Sequence, residues 1–147
     1  MKLFFDTSAL VKLFHAEPGT DKVTKWIQSK ENEIWIFALA KLEFFSALFR
    51  RFRNNEISET LLQQAISGFE EQLEIFNIQP ISQIILEQAE NLIKEYGKSH
   101  GLRSLDSLHL SAFILISEAN WIFVSADTNL CKVTSLLGYH TLNPIVK

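Results

Sequence analysis

The sequence predicts an α/β fold: a central parallel sheet of four to five strands with helices on both faces, a three-layer α/β/α sandwich. Three observations predict it. Short apolar runs rich in β-branched and aromatic residues alternate with helical patterns, the signature of a parallel sheet with crossover helices. Two of those runs end in an aspartate where a helix should begin: Lys2-Leu3-Phe4-Phe5-Asp6, and Trp121-Ile122-Phe123-Val124-Ser125-Ala126-Asp127. The third is size. At 147 residues and 47% hydrophobic content, the chain suits one domain, 1–147, able to bury roughly 68–70% of its unfolded surface.

Taken in order, residues 2–6 read as a buried strand and 8–15 as a short helix ending near Glu17-Pro18-Gly19. Thr20 starts a helix to about Ser29. Ile34 to Phe37 is a second strand. Leu39 to Asn54 is a helix, with Leu42, Phe45, Phe49 and Phe52 expected as its apolar stripe. Ser58-Glu59 caps a helix to about Leu73. Glu74 to Ile78 is a third strand, stopped by Pro80. Ser82 opens a long helix to about His100, ended by Gly101. Ser104 starts an apolar helix to Ala119. Residues 121–124 form a strand, 128–137 a helix, and Tyr139 to Leu142 a last strand after the breaker Gly138. The helices filling 58–100 read as an insertion between the two halves of the sheet.

Composition excludes several classes. The hydrophobic content argues against a disordered chain. The formal charge of −3 excludes a broadly basic surface. Cys131 is the lone cysteine, so no internal disulfide forms, and a reducing cytoplasm is the expected compartment. The apolar opening run is far too short for a signal peptide. The most apolar stretch, Ser107 to Ser117, spans roughly 16 Å as a helix, well short of the roughly 30 Å hydrocarbon core; no membrane association is expected.

The strand-end acids carry the functional signal. In open parallel sheets, ligands bind outside the carboxyl ends of the strands, where strand order reverses. Acids repeated at that edge repel one another unless they hold a cation or react. Glu43 and Asp106, each in the first turns of an apolar helix, are candidates to join Asp6 and Asp127. Taken singly, each has a plainer reading: an N-cap for Asp6 and Asp127, a dipole-favoured acid for Asp106, a solvated helix residue for Glu43. Small neighbours on the Glu43 face, Ser46 and Ala47, leave room for a ligand, and Arg50 shares that face. Hard oxygen donors of this kind suit Mg²⁺ or Mn²⁺. Setting the four aside leaves 13 acidic against 14 basic residues, so a nucleic-acid enzyme with an acidic metal site is compatible with the charge.

The segments Phe5-Asp6-Thr7-Ser8-Ala9-Leu10-Val11-Lys12, Leu42-Glu43, Arg103-Ser104-Leu105-Asp106-Ser107-Leu108-His109-Leu110-Ser111-Ala112 and Phe123-Val124-Ser125-Ala126-Asp127-Thr128-Asn129-Leu130 together resemble the PIN domain, and more narrowly the VapC-type toxins of toxin–antitoxin pairs. The resemblance runs over nearly the whole chain. It implies a metal-dependent endoribonuclease in which Asp6, Glu43, Asp106 and Asp127 hold one or two Mg²⁺ or Mn²⁺ ions. Thr7, Ser8 and Asn129 are implied as supporting polar groups. It further implies a cognate antitoxin protein, an RNA substrate and a homodimer. One departure is visible: Ala38-Leu39-Ala40 stands where relatives often place a Ser or Thr ahead of the glutamate helix, which removes a helix cap.

The remaining signals are weaker. His109 shares a helix face with Asp106 and is expected to pack or to make a buried hydrogen bond. Arg50, Arg51 and Arg53 end the Glu43 helix, as dipole complements or phosphate contacts, and Arg103 lies in a solvated turn or on the RNA backbone; Arg50 and Arg103 are the candidate RNA contacts. Cys131 is expected to pack at helical spacing from Asp127. Trp26, Trp35 and Trp121 read as core or interface. Two other functions remain open on sequence alone: an Asp6-based phosphatase or phosphoacceptor, and a catalytically idle PIN-like binding module.

Overall fold

The computed structural model describes residues 1–146. Among these, five strands form one parallel sheet: β1 (Lys2–Phe5), β2 (Glu33–Phe37), β3 (Asn77–Gln79), β4 (Ile122–Val124) and β5 (His140–Leu142), in the order β3-β2-β1-β4-β5. The chain first builds outward from β1 through β2 to β3. It then returns to the other side of β1 for β4 and β5. Strand order therefore reverses between β1 and β4, which pair as Leu3 with Ile122, Phe4 with Phe123 and Phe5 with Val124.

Alternation along each strand divides the core in two. Leu3, Phe5, Ile34, Ile36 and Val124 face one layer of helices: α1 (Thr7–Leu10), α2 (Thr20–Gln28), α3 (Leu39–Arg53) and α4 (Glu59–Leu73). Phe4, Phe37 and Phe123 face the other: α5 (Gln83–His100), α6 (Ser104–Ile116) and α7 (Thr128–Leu136). Phe4 sits 5.6 Å from Phe113 and 6.0 Å from Phe123, ring centre to ring centre. Each such fully buried side chain stabilises the fold by about 1.5–3 kcal/mol. The 58–100 stretch is not an insertion between sheet halves. Its two helices lie on opposite faces and β3 between them extends the sheet edge.

Several boundaries differ from the sequence expectation. The first helix tightens after Leu10 into a 3-10 turn over Val11–Leu13. Glu74 to Phe76 stay folded back on the end of α4, since the amides of Ile75 and Phe76 both donate to the Gln72 carbonyl (2.9 and 3.0 Å). The third strand is therefore Asn77–Gln79. The apolar helix stops at Ile116, not Ala119. The largest correction concerns α3. Its buried face is Ala40, Phe44 and Leu48, while Leu42 and Phe49 of the expected stripe are exposed and Phe45 and Phe52 are half-buried. Phe44 is chosen for the core because it stacks on Phe69 of α4 at 3.8 Å. As the sequence suggested, α3 has no side-chain N-cap. The Ala38 amide instead donates to the Gln79 carbonyl of β3 at 2.9 Å.

Candidate active site

Beyond the carboxyl ends of β1 and β4, at the reversal of strand order, lies a cavity of about 570 Å³. All four predicted acids line it: Asp6, Glu43, Asp106 and Asp127. Thr7, Ser8, His109, Arg50 and Arg103 line it too, as do Ser46 and Ala47 beside Glu43.

Asp6 and Asp127 are each the N-cap of the helix that follows. Asp6 Oδ1 accepts from the Ala9 amide and Asp127 Oδ1 from the Leu130 amide, both at 3.0 Å. The plain reading of both holds: one oxygen caps the helix. The two aspartates differ at their second oxygen. Asp6 Oδ2 accepts from the Ser125 hydroxyl at 2.7 Å, and Oδ1 also accepts from the Ser8 hydroxyl at 2.7 Å. Asp127 Oδ2 lies toward the cavity, 3.9 Å from the Arg103 guanidinium.

Ser8 and Ser125 knit the two strand ends together. Ser8 Oγ accepts from the Ala126 amide and Ser125 Oγ from the Asp127 amide, each at 3.0 Å. Ser125 was not among the expected site residues. Its place two residues ahead of Asp127 was the available signal, since a Ser hydroxyl there reaches the amide two residues on. Burial raises Asp6 above the usual carboxylate range, although His109 and the Ser125, Ser8 and Ala9 donors pull against it.

On the α3 side, Glu43 Oε1 accepts from Thr7 Oγ1 at 3.0 Å and from His109 Nε2 at 2.5 Å. His109 is buried, as expected, and its Nδ1 has no partner. Burial pushes Glu43 up, but the hydrogen bond and charge of His109 and the Thr7 hydroxyl outweigh it, so its carboxyl lies below the ordinary value. Asp106, in the first turn of α6, meets Arg103 at 3.5 Å. Burial and the charge of Asp127 raise its carboxyl, with Arg103 and His109 opposing.

Asn129, Arg51 and Cys131 lie outside the cavity lining. Asn129 does not line the cavity; its amide donates to the His100 carbonyl at 2.6 Å, tying α7 to the end of α5. Arg51 turns away from the cavity to pair with Glu17 at 3.3 Å. Cys131 is half-buried, and its thiol, donating to the Ser125 carbonyl, is raised to about 11 by burial and by Asp6 and Asp127. That thiol stays protonated at neutral pH and is a poor nucleophile.

The donors suit a hard divalent cation in kind. They are carboxylate oxygens, and two of them converge on a single cationic nitrogen of Arg103. Among the described residues, however, no three carboxylate, imidazole or thiol side chains are gathered closely enough to ligate one ion by themselves. The set therefore fits Mg²⁺, which keeps several waters, better than an ion that demands an all-protein cage.

A parallel sheet with an acid cavity at its strand-order reversal agrees with the family comparison: the PIN domain model matches residues 3–136, and the chain belongs to that family. A relative over nearly the full length is Ribonuclease VapC47 of Mycobacterium tuberculosis, 26% identical over 142 residues, covering 97% of this chain and 96% of that one. The fold is similar to that of FitAcB from Neisseria gonorrhoeae, with TM-score 0.71 at 15% identity and 97% of each chain covered. It is equally similar to VapC20 of Mycobacterium tuberculosis, a sarcin-ricin-loop-cleaving toxin, with TM-score 0.71, 14% identity and coverage of 97% and 99%. VapBC-1 of nontypeable Haemophilus influenzae gives TM-score 0.66 at 12% identity, covering 99% of this chain and 100% of that one.

Proposed function

We propose that this chain is a divalent-metal-dependent endoribonuclease, a single nuclease domain over 1–147 that acts as the toxin of a type II toxin–antitoxin pair in the cytoplasm. The observation that carries the reading is the convergence of four acids from four separate elements on one cavity bordered by two arginines. The likeness to VapC47, named a ribonuclease, supports the substrate class. No helix among the described residues is long and apolar enough to cross a membrane.

Asp6, Glu43, Asp106 and Asp127 would hold Mg²⁺ or Mn²⁺. When bound, such an ion supplies an activated water and neutralises charge at the phosphate. The chain's own residues do the rest. His109 and Thr7 keep Glu43 ionised and oriented. Ser8, Ser125 and the Ala9 amide fix Asp6, which is 3% exposed and serves as a rigid support, not as an in-line nucleophile. That weighs against the phosphoacceptor alternative. Arg50 and Arg103, at the cavity rim, take the substrate backbone, as most protein–nucleic acid hydrogen bonds do. Purified protein should cleave single-stranded RNA with Mg²⁺ or Mn²⁺ and not with excess EDTA. Cleavage in EDTA would overturn the metal-dependent reading.

Two partners belong to the same proposal. Leu42 and Phe49, exposed on α3 at 69% and 42%, supply apolar surface for a homodimer with the closed symmetry most common among oligomers. A light-scattering mass of one chain at micromolar concentration would count against it. The cognate antitoxin would lay a basic side chain against Asp106 and Asp127, which already accept a guanidinium from Arg103. Binding that survives Asp106→Lys would point to another docking place.

A further inference from the structure

A second groove, of about 680 Å³, opens beside the acid cavity and has no assigned role. It lies past the end of β5, bounded by Leu142 and Asn143, with Lys22, Lys25 and Trp26 of α2 on one side and the start of α7 on the other. Thr128, in its lining, directly follows Asp127 of the acid cavity. Consecutive Cα atoms are about 3.8 Å apart, so the two linings meet at the start of α7. The groove's chemistry is the complement of its neighbour's. It carries two ammonium groups, a half-buried indole, hydroxyls and an amide, and no acidic side chain among the described residues that line it. Lys22 Nζ already donates to the Val146 carbonyl at 2.8 Å, which holds its charge at the rim.

We propose that this groove binds a nucleotide flanking the cleaved bond of single-stranded RNA, with its phosphate on Lys25 and Lys22 and its base against Trp26. The inference rests on the nuclease reading. A chain of net charge −3 with four acids in its cavity must capture a polyanion locally. Paired cations with one aromatic face are how sequence-tolerant single-strand sites are built.

The test is steady-state cleavage of an oligoribonucleotide of about 20 nucleotides across a salt series, together with tryptophan fluorescence. Lys22→Glu/Lys25→Glu should raise KM about tenfold with little change in kcat. It should also flatten the dependence of log affinity on log salt by about 0.7 for each lost phosphate contact. Lys30→Glu/Lys94→Glu, an equal charge change at exposed lysines outside the groove, should do neither. Trp35 and Trp121 pack on each other 5.2 Å apart, away from the groove, so quenching by RNA in wild type that disappears in Trp26→Phe reports the groove itself. Binding is read on Asp106→Asn protein with Mg²⁺, which keeps the RNA intact. An unmoved KM and salt slope in the charge-reversed protein, or quenching that persists in Trp26→Phe, overturns the proposal while leaving the nuclease reading in place. A wild type that cleaves no RNA, with Trp26 still quenched, does the reverse.

Discussion

Glu43 and Asp106 face each other across one cavity with almost the same side-chain exposure, 24% and 23%. Yet their carboxyls shift in opposite directions, Glu43 down and Asp106 up. Burial, which acts on both in the same sense, does not separate them. Their neighbours do. Glu43 sits on a wall that the protein has wired for itself, with donors from His109 and Thr7. Asp106 sits on a wall left short of positive charge: the charge of Asp127 opposes its own, and the cation that meets it, Arg103, is 78% exposed. Solvent screens so exposed a pair strongly. An acid site can thus contain one half whose negative charge the fold stabilises and another whose negative charge it leaves unbalanced.

The sharpest way to break this contrast is to neutralise each wall in turn. Asp106→Asn should lower RNA cleavage by at least about a hundredfold, since even outer-shell metal partners are worth 10–100-fold. The same change should raise the melting temperature of the metal-free protein, because it removes repulsion with Asp127. Asp6→Asn should match it in activity but not in stability. The Ser8, Ser125 and Ala9 donors converge on Asp6, and an amide nitrogen among them leaves a buried group unpaired, at about 1–3 kcal/mol. If both variants melt higher than wild type, the Ser8, Ser125 and Ala9 donors do not stabilise the Asp6 charge.

His109→Ala should cost about 1–3 kcal/mol by leaving the Glu43 wall without its donor. Asp106→Ala, on the open wall, should cost little or nothing. Equal melting points for these two proteins would erase the distinction.

Titration sharpens it further. A carboxyl raised in the folded state keeps its proton after the unfolded chain has released its own. For Asp106 the metal-free protein therefore loses stability as pH rises from the ordinary carboxylate value through the raised one. The advantage of Asp106→Asn over wild type should be small in acid and grow to a plateau toward neutrality. Glu43 has the opposite sign. Its contribution is present above the unfolded value and is lost as pH falls through the lowered folded one, so the penalty of Glu43→Gln should shrink in acid. Parallel pH curves of unfolding free energy for the two variants would sink the assignment.

The smallest effect belongs to Arg103. As the only cation contacting Asp106 and Asp127 among the described residues, it competes with a divalent ion for them. Exposed pairs are each worth about 0.2–1 kcal/mol, so Arg103→Gln should tighten Mn²⁺ binding by about two- to tenfold in calorimetry. Weaker binding would mean that Arg103 helps to hold the ion's surroundings instead.

Much of this was legible in the chain. Asp6 and Asp127 announced themselves by ending apolar strand runs, and Ser82 and Gly101 marked the limits of α5 by capping chemistry that is local. What escaped depended on distant partners. Arg51 is drawn off by Glu17, and Asn129 by the His100 carbonyl. Period alone favoured Leu42 and Phe49 as core. Stacking between Phe44 and Phe69, contributed by another helix, decided otherwise. Ser125 reads in sequence as one more small polar residue; its role appears only when β4 brings it beside Asp6, 119 positions away.

The pairing of β1 with β4 also has a meaning in time. Asp6 is made 121 positions before Asp127, and the hydroxyl that steadies the first acid arrives with the strand that carries the second. At ordinary translation rates their synthesis is separated by on the order of ten seconds. For the later part of that interval a ribosome-held chain has the opening strand and the glutamate helix but neither Asp127 nor the Ser125 support for Asp6. The acid cavity is therefore complete only once β4 has paired with β1.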